Sequence, residues 1–79
     1  MNHGVILFHT TSAALRAEKI LVQAQLSIKL IPTPREFSSD CGLAIRFDWQ
    51  DEARVRVLLD QAHVEVAEIH TVSPHHETP

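Results

Sequence analysis

Apolar residues in this chain follow two kinds of spacing, one typical of helices and one typical of strands. The order in which these patterns follow one another most constrains the fold. Helical spacing of apolar residues occurs in two segments, and each segment lies between short stretches with strand-like patterns. The 79 residues, 44% of them hydrophobic, suffice for one small core and leave no room for a second. We therefore predict a single domain over residues 1–72, followed by a polar tail, 73–79, that we expect to be disordered.

The first half of the chain reads as strand, helix, strand. Val5–Phe8 is a continuous apolar run, which is typical of a central strand buried on both faces. Hydroxyl residues at 10–12 can cap a helix, and apolar positions then recur at helical spacing over 13–24. Ser27–Ile31 reads as a second strand, which we expect to stop at Pro32 because proline cannot donate to a β-ladder.

The second half shows the same order of elements. Leu43–Phe47 alternates as a half-buried strand does, and Asp48 is expected to cap a second helix, with Asp51 as an imperfect capping-box partner. Apolar residues between 55 and 62 supply the buried stripe of that helix. Val64–Val72 reads as the fourth strand. No internal repeat is visible in the sequence itself.

This order predicts an α+β fold, the ferredoxin-like βαββαβ sandwich, in which an antiparallel sheet carries two helices on one face. The expected strand order is 4-1-3-2, with strands one and two running parallel. Lys29, Ala44 and Arg46 should share one face of the sheet, with their apolar neighbours on the other. An open sheet with a different strand order is the alternative that the sequence leaves open.

Composition excludes several classes of function. The net charge is −3 with histidine neutral, and the basic residues are scattered, so we expect no binding to nucleic acid or to an anionic membrane. No apolar run approaches the roughly 18 residues of a membrane span, and the start lacks the features of a secretory signal. A single cysteine cannot form an internal disulfide, which favours the cytoplasm. No cofactor motif is found, and His75 and His76 lack partners at the spacing of a metal site.

A long polar loop, Pro32–Gly42 (PTPREFSSDCG), separates the two halves and holds the only cysteine, Cys41. In the predicted topology this loop, the end of strand one and the start of helix one lie at the same edge of the sheet. Cys41 should therefore lie near the N-terminus of helix one, with Arg35, His9 and His63 within side-chain reach.

Polar groups around this thiol suit it to hold an anion or a sulfur species. A helix N-terminus or a nearby cation favours the reactive thiolate, whereas Glu36 and Asp40 would oppose it. Gly42 allows a positive φ or a close backbone approach to a ligand, and consecutive N–H groups in such a loop can form an anion-binding nest. The candidate ligand-binding residues are Ser38, Ser39, Gly42, Thr10 and Ser12.

Three short motifs carry a resemblance to a known family. Strand one ends in Phe8-His9-Thr10, helix one contains Ala17-Glu18-Lys19 with Leu21, and the loop follows the pattern P-x-P-R-x-[IFL]-S-S-x-C-G. In these motifs the chain resembles a family of small bacterial proteins described as selenium or sulfur carrier-like. The similarity extends from strand one through strand three and continues more weakly to about Ile69. The loop residues that match are Pro32, Pro34, Arg35, Phe37, Ser38, Ser39, Cys41 and Gly42.

The resemblance implies that Cys41 carries sulfur or selenium, as a persulfide or selenosulfide. Arg35 would steady the anion, His9 would neighbour the thiol, and Ser38, Ser39 and Gly42 would shape the loop. The implied partners are donor and acceptor proteins, and such a carrier would present an exposed, reactive thiol.

Two other functions stay open. The loop could instead bind an anion or a protein partner in a binding or regulatory module, since ferredoxin-like folds serve many functions. A stand-alone enzyme ranks last, because no acid/base pair, nucleophile triad or cofactor motif is found. Homodimerisation is possible through an edge strand or through the sheet face that the helices leave uncovered.

Overall fold

A computed structural model of the protein describes residues 2–37 and 41–72. The elements in chain order are β1 (His3–Leu7), α1 (Thr11–Gln23), β2 (Ile28–Pro32), β3 (Leu43–Asp48), a 3₁₀ turn (Trp49–Asp51), α2 (Glu52–Gln61) and β4 (Glu68–Val72). The sheet has the order β2-β3-β1-β4, and every pair of neighbouring strands is antiparallel. The predicted α+β, ferredoxin-like fold and its 4-1-3-2 order are thus confirmed. The tail 73–79 lies outside the described residues, so the expectation of disorder there stays a prediction.

The main core lies between the two helices and one face of the sheet. Buried aromatic and aliphatic side chains from the sheet and from both helices meet there. Burying each large one stabilises the fold by about 1.5–3 kcal/mol. The sheet contributes Ile6, Ile45 and Phe47, α1 contributes Ala14, Ala17 and Leu21, and α2 contributes Val55 and Leu59.

Helix α1 begins as the sequence predicts, whereas α2 does not. Thr10 is the N-cap of α1, and its hydroxyl accepts the Ala13 N–H at 3.1 Å. Asp48, the predicted cap, pairs with His3 as the last residue of β3, so the strand continues one residue further than expected. Asp48 is also the N-cap of the 3₁₀ turn that leads into α2, without a side-chain capping bond. The 3₁₀ turn then intervenes, and Asp51 becomes the N-cap of α2 without a side-chain capping bond.

Strand β4 starts four residues later than predicted. Val64 is buried, and its N–H donates to the carbonyl of Leu59 at 3.0 Å. This N–H therefore closes the end of α2 and does not pair with the sheet. Ala67 makes the first bond to the sheet, to the carbonyl of Leu7 at 2.8 Å. Apolar alternation from Val64 onward therefore reflects burial under α2 before strand pairing begins.

Both helices end in the same motif, with a residue other than glycine in the left-handed region. Gln25 has φ 65° and His63 has φ 58°. The N–H groups of Gln25 and Leu26 donate to carbonyls of the last turn of α1, and His63 and Val64 repeat both bonds on α2. This is the Schellman arrangement, which satisfies carbonyls that the helix end would otherwise leave unpaired.

The two halves of the molecule also correspond in detail. Arg16 of α1 donates from Nη2 to the carbonyl of Ala62, the C-cap of α2, and Arg54 of α2 donates to the carbonyl of Ala24, the C-cap of α1. Each pair of equivalent residues is 38 positions apart, and the same offset relates the two Schellman motifs. The sequence shows no repeat, yet the two halves form equivalent bonds at these positions.

A smaller apolar cluster lies on the face of the sheet away from the helices. Ala44, Arg46 and Lys29 share this face, as predicted, because they occupy matching positions in the register of β2 and β3. Val5, Leu7 and Ala44 are buried there even though no helix covers them. The cover comes from Phe37 of the long loop and from partly buried residues of β2, β4 and the segment before β4, namely Ile31, Ala67 and Val72.

Candidate functional site around Cys41

The backbone of Cys41 is tied to the end of β2. Thr33 donates from its hydroxyl to the Cys41 carbonyl at 2.8 Å and from its N–H to the Gly42 carbonyl at 2.9 Å. These bonds continue the pairing of β2 with β3 just beyond the last register pair, Pro32 with Leu43. The end of the loop is therefore held in the geometry of the sheet, and the cysteine side chain is directed into the molecule.

The sulfur atom of Cys41 lies against the first turn of α1. Sγ accepts the Leu43 N–H at 3.3 Å and lies 3.8 Å from Oγ1 of Thr11, the first residue of α1. The prediction that Cys41 lies near this helix N-terminus is borne out. An N–H donor and the positive end of a helix both create positive potential at the sulfur.

Thr11 is a site residue that the sequence analysis missed. Thr10 and Ser12 were the predicted residues, but the Thr10 hydroxyl is occupied as the helix cap. Thr11, exposed like Ser12, is the residue whose hydroxyl lies beside the sulfur. Thr11 lies three positions before the buried Ala14 and so on the same side of α1, although Thr11 itself is exposed at the start of the helix. This helical spacing was the signal in the sequence that could have identified it.

Arg35 and His9 are both exposed, and within residues 2–37 and 41–72 neither makes a hydrogen bond or an ion pair. Arg35 occupies a turn in which the Phe37 N–H donates to the Pro34 carbonyl at 3.0 Å, which explains its exposure. His63 is exposed as well, at the Schellman end of α2. The roles of Arg35 and His9 beside the thiol stay predictions.

Gly42 does not adopt the positive φ that was one of its two expected roles. Gly42 is exposed without a positive φ, and a Cβ added to it would meet no atom within 4 Å. Of the two roles expected for Gly42, the positive φ is not found, and the close backbone approach to a ligand stays a prediction. Ser38 and Ser39 lie outside the described residues, and their predicted ligand-binding role stays a prediction.

The exposure expected of a carrier thiol is also corrected. Cys41 is only 2% exposed and packs within the main core cluster. A cysteine side chain is small and behaves as an apolar group, so the first turn of α1 can close over it. Any chemistry of this thiol with a molecule in solution requires a local opening of the structure.

Two further classes of site were sought in the described part of the chain. No group of three histidine, cysteine or carboxylate side chains there could hold a metal ion. Neither described helix is both long and apolar enough to cross a membrane.

Fold and site together define a small ferredoxin-like α+β protein whose single thiol is enclosed beneath a helix N-terminus. The chain belongs to the family described as "Putative Se/S carrier protein-like", which matches residues 3–71. That range runs from the start of β1 to within one residue of the end of β4 and includes the whole loop. The resemblance stated from the sequence motifs is thereby confirmed at the level of the family.

One similar protein is the uncharacterized protein MJ0011 of Methanocaldococcus jannaschii, which is 38% identical over 53 residues. The matched segment is 67% of this chain but only 26% of that protein, so this chain spans about a quarter of the relative's length. No solved structure matches the chain.

Proposed function

We propose that this protein is a sulfur or selenium carrier that holds the transferred atom on Cys41. The observation that carries the proposal is the position of Sγ, which accepts the Leu43 N–H and lies beside Thr11 at the N-terminus of α1. These groups can stabilise an anionic sulfur or selenium atom. Membership of a family described as carrier-like supports the same function.

The transfer step needs no external oxidant or reductant. The Cys41 thiolate attacks the terminal sulfur of a donor persulfide, R–S–SH, and a new S–S bond forms as the donor's S–S bond breaks. The electron pair of the broken bond leaves with the donor as R–S⁻, and the proton stays on the transferred sulfur. An R–S–SeH donor would pass selenium in the same way, and the reverse step would deliver the atom to an acceptor thiol.

Burial of Cys41 dictates how such a carrier works. At 2% exposure the thiol can react only from a locally opened state. Opening would break the bonds from Thr33 to the Cys41 and Gly42 carbonyls while leaving the four-stranded sheet in place. A donor or acceptor protein that binds the loop would favour this state, and closure would then shield the loaded sulfur from other thiols.

Three side chains have assigned roles in this mechanism. The Thr11 hydroxyl donates a hydrogen bond to the sulfur species on Cys41 in the closed state. Arg35, exposed in the turn that begins at Pro34, pairs with the anion when the loop opens. His9, which directly follows the buried Phe8, supplies a second cation when protonated.

A second candidate function is favoured by the same burial. Cys41 packs among core residues as an apolar side chain would, and this favours a structural role. The loop 32–42 would then bind an anion or a protein partner, and that binding would survive replacement of Cys41 by serine.

Intact mass and alkylation kinetics test the proposal. The protein is incubated with glutathione persulfide, and we expect a stable mass increase of one sulfur atom that is absent in Cys41→Ser. Thr11→Val should shorten the lifetime of the loaded form, whereas Thr11→Ser, which keeps the hydroxyl, should preserve it. If native Cys41 alkylates only when the whole protein unfolds and never gains sulfur, the carrier function is refuted and the binding-module function stands.

A further inference from the structure

Two fixed cations oppose each other on the sheet face away from the helices. Lys29 of β2 and Arg46 of β3 are register partners, and both side chains are exposed. Like charges directly opposite on neighbouring antiparallel strands destabilise a sheet, because their Cβ atoms are only about 4.5–5.5 Å apart. The pair therefore opposes folding unless something compensates for its charge.

Residues 2–37 and 41–72 contain no ion pair that supplies this compensation. By contrast, the arginines of the two helices have partners: Arg16 and Arg54 donate to helix C-cap carbonyls, and Arg56 pairs with Glu52. Within the described residues neither Lys29 nor Arg46 has a hydrogen bond or an ion pair. This holds although acidic residues outnumber basic ones, ten to seven.

A cleft of about 240 Å³ opens beside this pair, at the end of the sheet where β1 and β2 begin and β3 ends. Its volume is below the roughly 300–1,000 Å³ of pockets that hold drug-sized ligands. The residues lining it are His3, Ser27, Ile28, Lys29, Arg46, Phe47 and Asp48.

We propose that this cleft is a binding site for a small oxyanion of the phosphate class, held by Lys29 and Arg46. An Arg guanidinium matches a tetrahedral oxyanion with two parallel N–H donors, and a Lys ammonium adds a point charge. Ser27 offers a hydroxyl at the rim. The single carboxylate of the cleft, Asp48, is two residues beyond Arg46 and so shares its sheet face, but its register partner is His3 and it makes no ion pair with either cation.

The site is independent of the carrier function. It involves the end of β3 at Asp48 and the sheet face away from the helices, whereas Cys41 precedes the start of β3 and packs on the helix side. Loss of one function by substitution should leave the other unchanged.

The test is a titration with inorganic phosphate at low ionic strength, followed by ¹H–¹⁵N NMR, with chloride at matched ionic strength as the reference. We expect saturable shifts centred on Lys29 and Arg46. Lys29→Gln and Arg46→Gln should each weaken binding at least tenfold, whereas Lys19→Gln, which removes an exposed charge from α1, should not. Without phosphate, Arg46→Gln should keep or raise Tm, because it removes a repulsion rather than a supporting contact.

Two results would overturn the proposal. One is a shift that grows linearly with phosphate without saturating, or that responds equally to Lys19→Gln and Arg46→Gln. The other is a marked fall in Tm for Arg46→Gln without phosphate, which would make the pair structural. A parallel titration with adenosine monophosphate tells a phosphate monoester from the free ion. Binding tighter than that of inorganic phosphate assigns the site to phosphate monoesters, and weaker binding assigns it to the free ion.

Discussion

The ring of Phe37 stacks on the imidazole of His70, with 4.5 Å between ring centroids and 12° between ring planes. His70 belongs to β4, at the opposite edge of the sheet from β2, where the loop begins. Phe37 therefore lies on the sheet face that the helices leave open, where it packs against Val5, Leu7 and Ala44. Cys41, four residues further on, packs on the other side of the sheet. Phe37 is thus the anchor of the segment that leads to the thiol.

Removing this anchor should expose the thiol. Phe37→Ala is expected to lower the free energy of unfolding by about 1–2 kcal/mol, less than the ~3–5 kcal/mol of a fully buried Phe→Ala change, since Phe37 is only partly buried. We expect native-state alkylation of Cys41 to accelerate by more than this global loss predicts, because the loop opens locally. Leu15→Ala, at an exposed position of α1, is the control. Equal acceleration in both variants would show that Cys41 reacts only through global unfolding.

Replacing the two arginines that bond to helix ends should destabilise the fold to different degrees. Arg16→Met is expected to cost about 1 kcal/mol, because a charged donor is lost from a C-cap carbonyl at 2.8 Å, in the range of ~0.5–1.5 kcal/mol for a typical hydrogen bond. Arg54→Met should cost less, since its bond to Ala24 is 3.4 Å long. Urea unfolding measures both, with Arg56→Met as the surface ion-pair control. The reverse order would contradict the distances.

Glycine at the two left-handed helix ends should stabilise the protein. The left-handed conformation destabilises a residue other than glycine by roughly 1–2 kcal/mol. Glycine avoids this cost, but part of the gain is lost because glycine has more conformational entropy in the unfolded chain. Gln25→Gly and His63→Gly are each expected to raise the free energy of unfolding by up to about 1 kcal/mol. Lys19→Gly, at an exposed position inside α1, should instead destabilise by about 1 kcal/mol. Thermal or urea denaturation separates the two directions, and a loss at His63→Gly would reveal a contact of its side chain.

The two glycines should respond oppositely to alanine. A Cβ at Gly4 would lie 2.3 Å from the ring of Phe47, its register partner, and Phe47 is itself buried. Gly4→Ala is therefore expected to destabilise by about 1–3 kcal/mol, as overpacking does. Gly42→Ala meets open space at an ordinary φ, so we expect a change between zero and a gain of about 1 kcal/mol. The midpoints of urea unfolding measure both changes. A large loss of stability in Gly42→Ala would contradict the expectation and show that the loop tolerates no side chain at this position.

The boundaries that sequence patterns missed share one physical cause. Hydrophobic alternation reports burial, and burial is the same whether Val64 packs beneath α2 or pairs in a strand. The cap prediction at Asp48 holds for the 3₁₀ turn but not for α2 itself, for a related reason. An aspartate suits a helix start in general, but here ladder pairing with His3 held the residue in β3.

The sequence by itself determined the element types, their order, the ferredoxin-like topology and the family, because each rests on local periodicity or on short motifs. It also placed Cys41 near the first turn of α1, since topology alone brings those segments to one edge. Only the tertiary structure decided that the thiol is enclosed, that Thr11 rather than Thr10 or Ser12 meets it, and that Phe37 anchors the loop on the far sheet face. Such facts depend on which side chains fill which space, and spacing along a chain does not carry that information.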